Sequence, residues 1–238
     1  MSKIRAIVES TKIDNKNLKV ENGLSLVIDR AGKNILFATG RSTAFLQNAK
    51  QLNFDIRNVD YLIISHAHLD HAGRLRNFLI NNTKARVYLH KKAMLQYYIK
   101  AFNILPLYIG LDRCLLKDFP ERLELIEKDT EIIYGLNLHT GIEQVSALPS
   151  SNKSLFVKEN VKLVKDRFDH EIVLTVQNEQ GLIVFTGCPH SGIINIIDRV
   201  RKKFLIKRIL LFLAGIIFII LLPKFQRNQT ILPVLQIN

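Results

Sequence analysis

The stretch that most constrains this chain is "VDYLIISHAHLDHAG", residues 59–73. Its apolar first half, with two β-branched isoleucines, predicts a strand buried on both faces and so a sheet covered on both sides. Immediately beyond come His66, His68, Asp70 and His71. A strand end is the usual place for a site in an open α/β sheet. On extended chain His66 and His68 project to the same side and can share a metal. Asp70 and His71 follow as the chain turns into the next helix and face a neighbouring position. Imidazole suits zinc and a carboxylate suits a harder or second ion, so the cluster predicts half of a two-metal site. Two ions of this kind can hold a bridging hydroxide and polarise a phosphoryl or carbonyl oxygen.

The surrounding sequence alternates strand with helix. "GLSLVID" (23–29), "NILFATG" (34–40) and "ARVYLH" (85–90) read as strands, and "FLQNAKQL" (45–52) and "RLRNFLINN" (74–82) as helices. The alternation predicts an α/β architecture. From 91 to 150 the pattern loosens into an insertion or lid, helical up to about Asn103 and then interrupted by Pro106, Gly110 and Pro120. Strands resume at "SLFVK", "EIVLTVQ" and "GLIVFTG", and a helix is expected from about Ser191 through "IINIIDRVRKK".

The 238 residues, 47% of them hydrophobic, suffice for a sizeable core. Two cysteines, Cys114 and Cys188, behind an N-terminus with no apolar signal region argue for a reducing compartment, with the cytoplasm the expected location. The net charge of +13 invites nucleic acid as a partner, but its distribution weakens that reading. Eight of the 34 basic residues lie from Arg199 onward, where there is no acidic residue, and the preceding part balances 26 basic against 21 acidic. The divergent tail, 204–238, contains "ILLFLAGIIFIILL" (209–222), fourteen residues without a charge. A membrane span needs roughly 20 apolar residues, so 204–222 is either a membrane-associating segment, with the main domain on the cytoplasmic side, or a buried helix or strand pair.

With these segments in view, the chain resembles the metallo-β-lactamase fold superfamily, whose hallmark is His-x-His-x-Asp-His. The segments "ENGLSLVID", "YLIISHAHLDHAGRL", "VYLH", "DRFDHEIVLTV" and above all "FTGCPHSGIINII" resemble one branch, labelled dihydropterin-ribofuranosylaminobenzene-phosphate synthase or metal-dependent hydrolase. The resemblance covers residues 3–203 and implies a four-layer αββα sandwich, incomplete at its C-terminal end. It implies His66 and His68 at a first metal and Asp70 and His71 at a second, with His90 and His190 as further ligands. Zinc is the implied ion, one or two per chain, with manganese or iron as alternatives. Asp70 and His190 are the expected catalytic residues, orienting and polarising a small anionic or phosphorylated substrate. Asp169, His170 and Cys188 are expected behind the ligands or against substrate, Cys188 as either a soft ligand or, preferred, an inert buried thiol, Asp166 in a charged turn and His139 as structural.

The chain departs from the branch pattern at Asn22, Ala38, Ala67 and Arg74. The branch has histidine at the first, a supporting aspartate at the second and glycine at the last two. Loss of that aspartate is expected to cost roughly 10 to 100-fold in metal affinity or activity, and either lost glycine to perturb a tight turn. The branch pattern also continues into a strand and a Gly-Gly-x-His-Leu segment whose histidine completes the second metal, whereas all seven histidines here lie at or before His190. A shifted reading frame past Ile209 is the expected origin, an acquired membrane anchor the alternative. Three functions follow as expectations: a metal-dependent hydrolase or synthase-type transferase, an impaired relic with a membrane-associating tail, and a nuclease or phosphodiesterase of the same fold.

Overall fold

Tyr61, Leu62 and Ile63 form the strand expected before the histidines, and parallel neighbours flank it on both sides, at 35–37 and 86–88. The computed structural model describes residues 2–11, 17–102, 104–204, 208–213, 218–219 and 235–237. In chain order the elements are β1 (Ser2–Val8), β2 (Ser25–Arg30), β3 (Lys33–Phe37), α1 (Ala44–Gln51), β4 (Tyr61–Ile63), α2 (Leu69–Ala72), α3 (Leu75–Asn81) and β5 (Arg86–His90). There follow β6 (Gln96–Ala101), β7 (Leu105–Tyr108), α4 (Leu115–Asp118), β8 (Leu123–Ile126), β9 (Thr130–Ile133), β10 (Leu136–His139), β11 (Leu155–Glu159) and β12 (Lys162–Lys165). The last are β13 (Val173–Asn178), β14 (Gly181–Phe185), α5 (Ile193–Phe204), β15 (Ile209–Leu213), β16 (Phe218–Ile219) and β17 (Leu235–Ile237).

Two large sheets stack face to face. One runs β17-β1-β2-β3-β4-β5-β8 and the other β16-β15-β14-β13-β10-β9. The period-two alternation of strand side chains assigns each buried residue to a layer. Ile35, Phe37 and Ile63 point to the inter-sheet core, where they meet Leu174, Val176, Ile183 and Phe185. Leu36, Leu62 and Ile64 point the other way, to Phe45 of α1 and Leu75, Phe78 and Leu79 of α3. On the second sheet Leu182 and Val184 pack outward against Ile196 and Val200 of α5. The layers are therefore helix, sheet, sheet, helix, as the resemblance implies. The rings of Phe37 and Phe185 bridge the sheets at 6.0 Å, and burying each stabilises the stack by about 1.5–3 kcal/mol.

Three expectations are corrected. The segment after His90 is not a helix: a 3-10 turn at Lys91–Met94 leads into β6 and β7, and Asn103 lies outside the described residues. Tyr97, Tyr98 and Ile99 suit a pleated surface, and pairing with Val157, Phe156 and Leu155 decides in favour of strand. With β12, these strands make a separate four-stranded sheet, β12-β11-β6-β7. Nor is all of 91–150 an insertion, since β8 belongs to the first large sheet and β9 and β10 to the second.

The third correction concerns where the domain ends, expected at residue 203, and of the two readings of the tail the buried strand is the one that residues 209–213 follow. Residues 209–213 form a strand parallel to β14, with Ile209, Leu210, Phe212 and Leu213 buried. A strand covered on both faces has no place for a charge, so the lack of charge there is explained by the core, and the main domain extends past residue 203. Among the described residues no helix is long and apolar enough to cross a membrane. Residues 205–207, 214–217 and 220–234 lie outside the described residues, and with them most of the segment read as an anchor or a frame shift.

Candidate metal centre

The site forms where the ends of β4 and β14 meet. Ile172 N–H donates to Ser65 O at 2.7 Å, tying the start of β13 to the residue before His66. Gly187, just past β14, comes so close that a Cβ there would collide with Ser65 Oγ and the His66 ring. Only glycine allows that approach. After β4 the chain turns through His68 into the single turn α2, with Ala72 N–H donating to His68 O at 2.9 Å. Thr39 N–H holds the turn from behind, donating to His71 O at 2.7 Å.

The rings of His66, His68 and His190 stand at the corners of a nearly equilateral triangle, with centroids 4.8, 4.9 and 4.8 Å apart. His68 Nδ1 lies 3.1 Å from His190 Nε2, and one ligand atom from each of the three residues lies within 4.8 Å of the others. A second set joins His66 to Asp70, His71 and Cys188. There His71 Nε2 is 3.2 Å from Asp70 Oδ2 and 3.3 Å from Cys188 Sγ. Among the described residues the buried His66 Nε2 has no hydrogen-bond partner. A buried polar atom left alone costs about 1–3 kcal/mol, and a cation among these donors would give it a partner. Donors of imidazole, carboxylate and thiol type fit a divalent transition-metal ion.

A third set, His68, Asp166 and His170, has a different character. Ala67 N–H donates to His170 Nδ1 at 3.1 Å, so the neutral ring carries its proton on Nε2, 3.1 Å from Asp166 Oδ2. A nitrogen that bears hydrogen does not ligate, and His170 instead braces the Asp166 carboxylate.

Burial dominates the electrostatics. It pushes the imidazoles of His66 and His190 well below the ordinary histidine value, with neighbouring rings adding to the effect. Both are therefore neutral, the form that binds a metal. Burial raises Asp70, but His71, His68 and His190 outweigh it and hold the carboxyl below the usual range. Asp166 follows the same course: burial raises it, and His170 and His68 overcome that. Burial pushes the Cys188 thiol upward, with Asp70 adding to it. The Glu171 carboxyl, buried and accepting from Ser191 N–H and Thr186 Oγ, is pushed up to about 7.

Of the residues singled out in the sequence, His66, His68, Asp70, His71, His170, Cys188 and His190 come together. Cys188 is buried as expected, yet it faces Asp70 and His71. His90 stays out of every donor set among the described residues. Its Nδ1 accepts Lys92 N–H at 3.1 Å, capping the 3-10 turn that begins there. Asp169 is exposed and pairs with Lys92 Nζ at 2.6 Å. His139 is buried elsewhere, with Nε2 2.8 Å from Thr175 Oγ1.

Two residues at the site escape the sequence reading. Asp166 belongs to the cluster rather than to a charged turn. Asn152 holds His190 twice, its Nδ2 donating to His190 O at 2.8 Å and its Oδ1 2.9 Å from His190 Nδ1. No motif marks Asn152, whereas the acid-rich "DRFDHE" could have marked Asp166. Ala67 and Arg74 do not strain the backbone, since neither has a positive φ. Ala38 does: it is buried at φ 65°, a region in which an L residue other than Asn or Asp is disfavoured.

Comparisons with known proteins agree with this geometry. Residues 18–206 match the family model of the metallo-beta-lactamase superfamily. The chain is 31% identical to a crystal structure described as a metal-dependent hydrolase of the beta-lactamase superfamily, with TM-score 0.75, over 90% of this chain and 76% of that one. An uncharacterized protein of Methanocaldococcus jannaschii is 29% identical over 210 residues, 87% of this chain and 77% of the relative. From the same organism, a 7,8-dihydropterin-6-methyl-4-(beta-D-ribofuranosyl)-aminobenzene-5'-phosphate synthase is 26% identical over 228 residues, 90% of this chain and 76% of the relative. Stacked sheets between helices, the donors gathered where β4 and β14 end, and a family match over most of the length lead to one assignment: the chain belongs to the metallo-beta-lactamase superfamily.

Proposed function

We propose that this protein is a metal-dependent hydrolase acting on a small ester or phosphoester. The observation that carries the reading is the meeting of two donor sets that share His66: one of imidazoles alone, the other with Asp70, His71 and Cys188. The imidazole and thiol donors favour zinc, with manganese or iron as the alternatives that metal analysis decides. When bound, such an ion supplies Lewis acidity and an activated water.

The chain's own residues do the rest. Asp70 is ionised, and its side chain is 33% exposed while the imidazoles beside it are nearly closed off. It is the donor that meets an incoming substrate, and it orients the attacking group. His190 borders a cavity of about 710 Å³ between Ala147, Pro149, Asn152, Cys188 and Ile193. Among the described residues no charged side chain lines this cavity. An uncharged part of the substrate fits there, and its anionic or phosphorylated part points toward the metal donors and His190. Both cysteines are free, in keeping with a cytoplasmic location.

The synthase relative, at 26% identity, supports a transfer reaction as a second chemistry for the same site. An impaired relic is the competing reading, favoured by Ala38 standing where the resemblance implies a supporting aspartate. Metal analysis of the purified protein is the test, together with turnover of para-nitrophenyl acetate, bis-para-nitrophenyl phosphate and the dihydropterin with its ribosyl aryl amine. At least one equivalent of metal is expected, with turnover that His68→Ala lowers more than about 100-fold, beyond the 10 to 100-fold typical of outer partners. Bound metal without turnover would favour the relic, and absence of both would overturn the hydrolase.

A further inference from the structure

The sheet β12-β11-β6-β7 stands apart from the two large sheets, and its two faces are unlike. On one, Tyr97 and Val157 are buried in the core, with the Tyr97 ring 4.1 Å from that of His170. On the other, alternation and register set Tyr98 between Tyr108 and Phe156, and Phe156 next to Lys165. The ammonium groups of Lys100 and Lys165 lie 4.4 and 4.2 Å from the centre of the Phe156 ring. The four strands hold four lysines, Lys100, Lys158, Lys162 and Lys165, against one carboxylate, Glu159. Among the described residues none of the four is ion-paired, whereas Lys84, Arg86, Lys91 and Lys92 each meet a carboxylate. Between β6 and β7 the sheet ends in apolar side chains: Phe102 is 94% exposed, Ile104 81% and Leu105 58%. Phe102 has a φ of 51°, unfavourable for a bulky residue, so a strained position carries a side chain that the fold leaves in solvent.

An exposed apolar patch rimmed by polar groups marks a docking surface, and three observations select its occupant. Strand addition is blocked: Ile109 N–H donates to Tyr97 O, so by alternation position 106 turns its nitrogen to the open edge, and Pro106 has no N–H to give there. A second copy docking through the same face would bring the lysines against themselves. A nucleic acid would satisfy the rings and the lysines, but it offers nothing to Ile104 and Leu105. We propose that this sheet docks on an anionic bilayer surface. Phe102, Ile104 and Leu105 enter the acyl boundary, Tyr98 and Tyr108 lie at the headgroups, and Lys100, Lys158 and Lys165 meet lipid phosphates. The attachment is peripheral and independent of the metal-centre reading, and it leaves Tyr97, beside His170, on the reverse face of the docked sheet.

The test is co-sedimentation of the full chain with vesicles of phosphatidylcholine alone and of equal parts phosphatidylcholine and phosphatidylglycerol. The mixed vesicles are expected to bind at least about 10-fold more tightly, and less so as salt rises. Phe102→Ser together with Ile104→Ser is expected to weaken that binding at least about 10-fold. Lys100→Gln, Lys158→Gln and Lys165→Gln combined are expected to remove the preference for phosphatidylglycerol. The chain has no tryptophan, so Phe102→Trp supplies a lone reporter whose emission is expected to shift to the blue when mixed vesicles are added. Urea unfolding shows whether each variant folds, and if the lysine variant does not, the serine pair and the reporter decide. No binding to the mixed vesicles, binding that the serine pair leaves unchanged, a preference that survives the lysine changes, or a reporter that does not shift would overturn the inference. So would a dimer in light scattering that the serine pair dissolves, or an oligouridine bound in preference to the vesicles.

Discussion

At Gly187 the end of one sheet passes so close to Ser65 and His66 that a methyl group has nowhere to go. Gly187→Ala is expected to cost about 1–3 kcal/mol through overpacking, measured by urea unfolding, and to weaken zinc binding because the ring displaced belongs to the donor triangle. An unchanged unfolding midpoint would mean that the strand ends are less tightly joined than described. The same residues show what was legible at this scale. His66, His68, Asp70 and His71 are readable because one short turn carries all of them, and His190 because a strand end precedes it. Asp166 looks like any charge before a strand until His68 and His170 are seen on either side of it. Asn152 matters only because a remote loop folds over His190, and no local pattern encodes that.

Among elements, β15 makes the sharpest claim. Its sequence reads equally as part of an anchor, since a strand buried on both faces and a lipid-facing segment share one composition. Pairing with β14 and packing against α5 resolve the ambiguity for 209–213. Phe212→Ala is therefore expected to cost about 3–5 kcal/mol in urea unfolding, whereas a side chain facing lipid would leave the rest of the domain unchanged. The strands β6 and β7 teach the converse lesson. The apolar spacing in "AMLQYYIKAF" suits a helix, and what makes it a strand is β11, about 60 residues further on. Such distant pairings are the part of a fold that periodicity does not report.

For the molecule as a whole, the apolar run before the histidines made a sheet covered on both faces readable, whereas the four layers came only as what the family resemblance implied. The gathering of buried neutral histidines between the sheets has a pH signature in the metal-free protein. Burial places His66, His170 and His190 below the ordinary 6.5. As pH falls through 6.5 the unfolded chain takes up protons at these rings and the folded one does not, so their contribution is complete above that pH and is lost below it. Each such group costs about 1.4 kcal/mol per pH unit in that range. Glu171 acts in the opposite sense: its carboxyl at about 7 lets the folded state bind a proton before the unfolded state does at 4.5. With His90 lowered as well and Glu9 raised as well, four imidazoles outweigh two carboxyls, and the urea midpoint is expected to fall from about pH 7 to about pH 5.5. A rising midpoint would contradict the burial of these rings.

His68 and His190 touch across 122 residues of chain. Neither half of the polypeptide holds the donor triangle alone, so it comes into being only once the two sheets have docked. An ion that binds it therefore binds the finished fold, and at 100 times its dissociation constant adds about 2.7 kcal/mol to stability. The same separation orders events in time, because closing so long a loop comes late in folding and slowly. The centre then serves as an endpoint marker: a chain that captures metal in all three rings has already completed its topology.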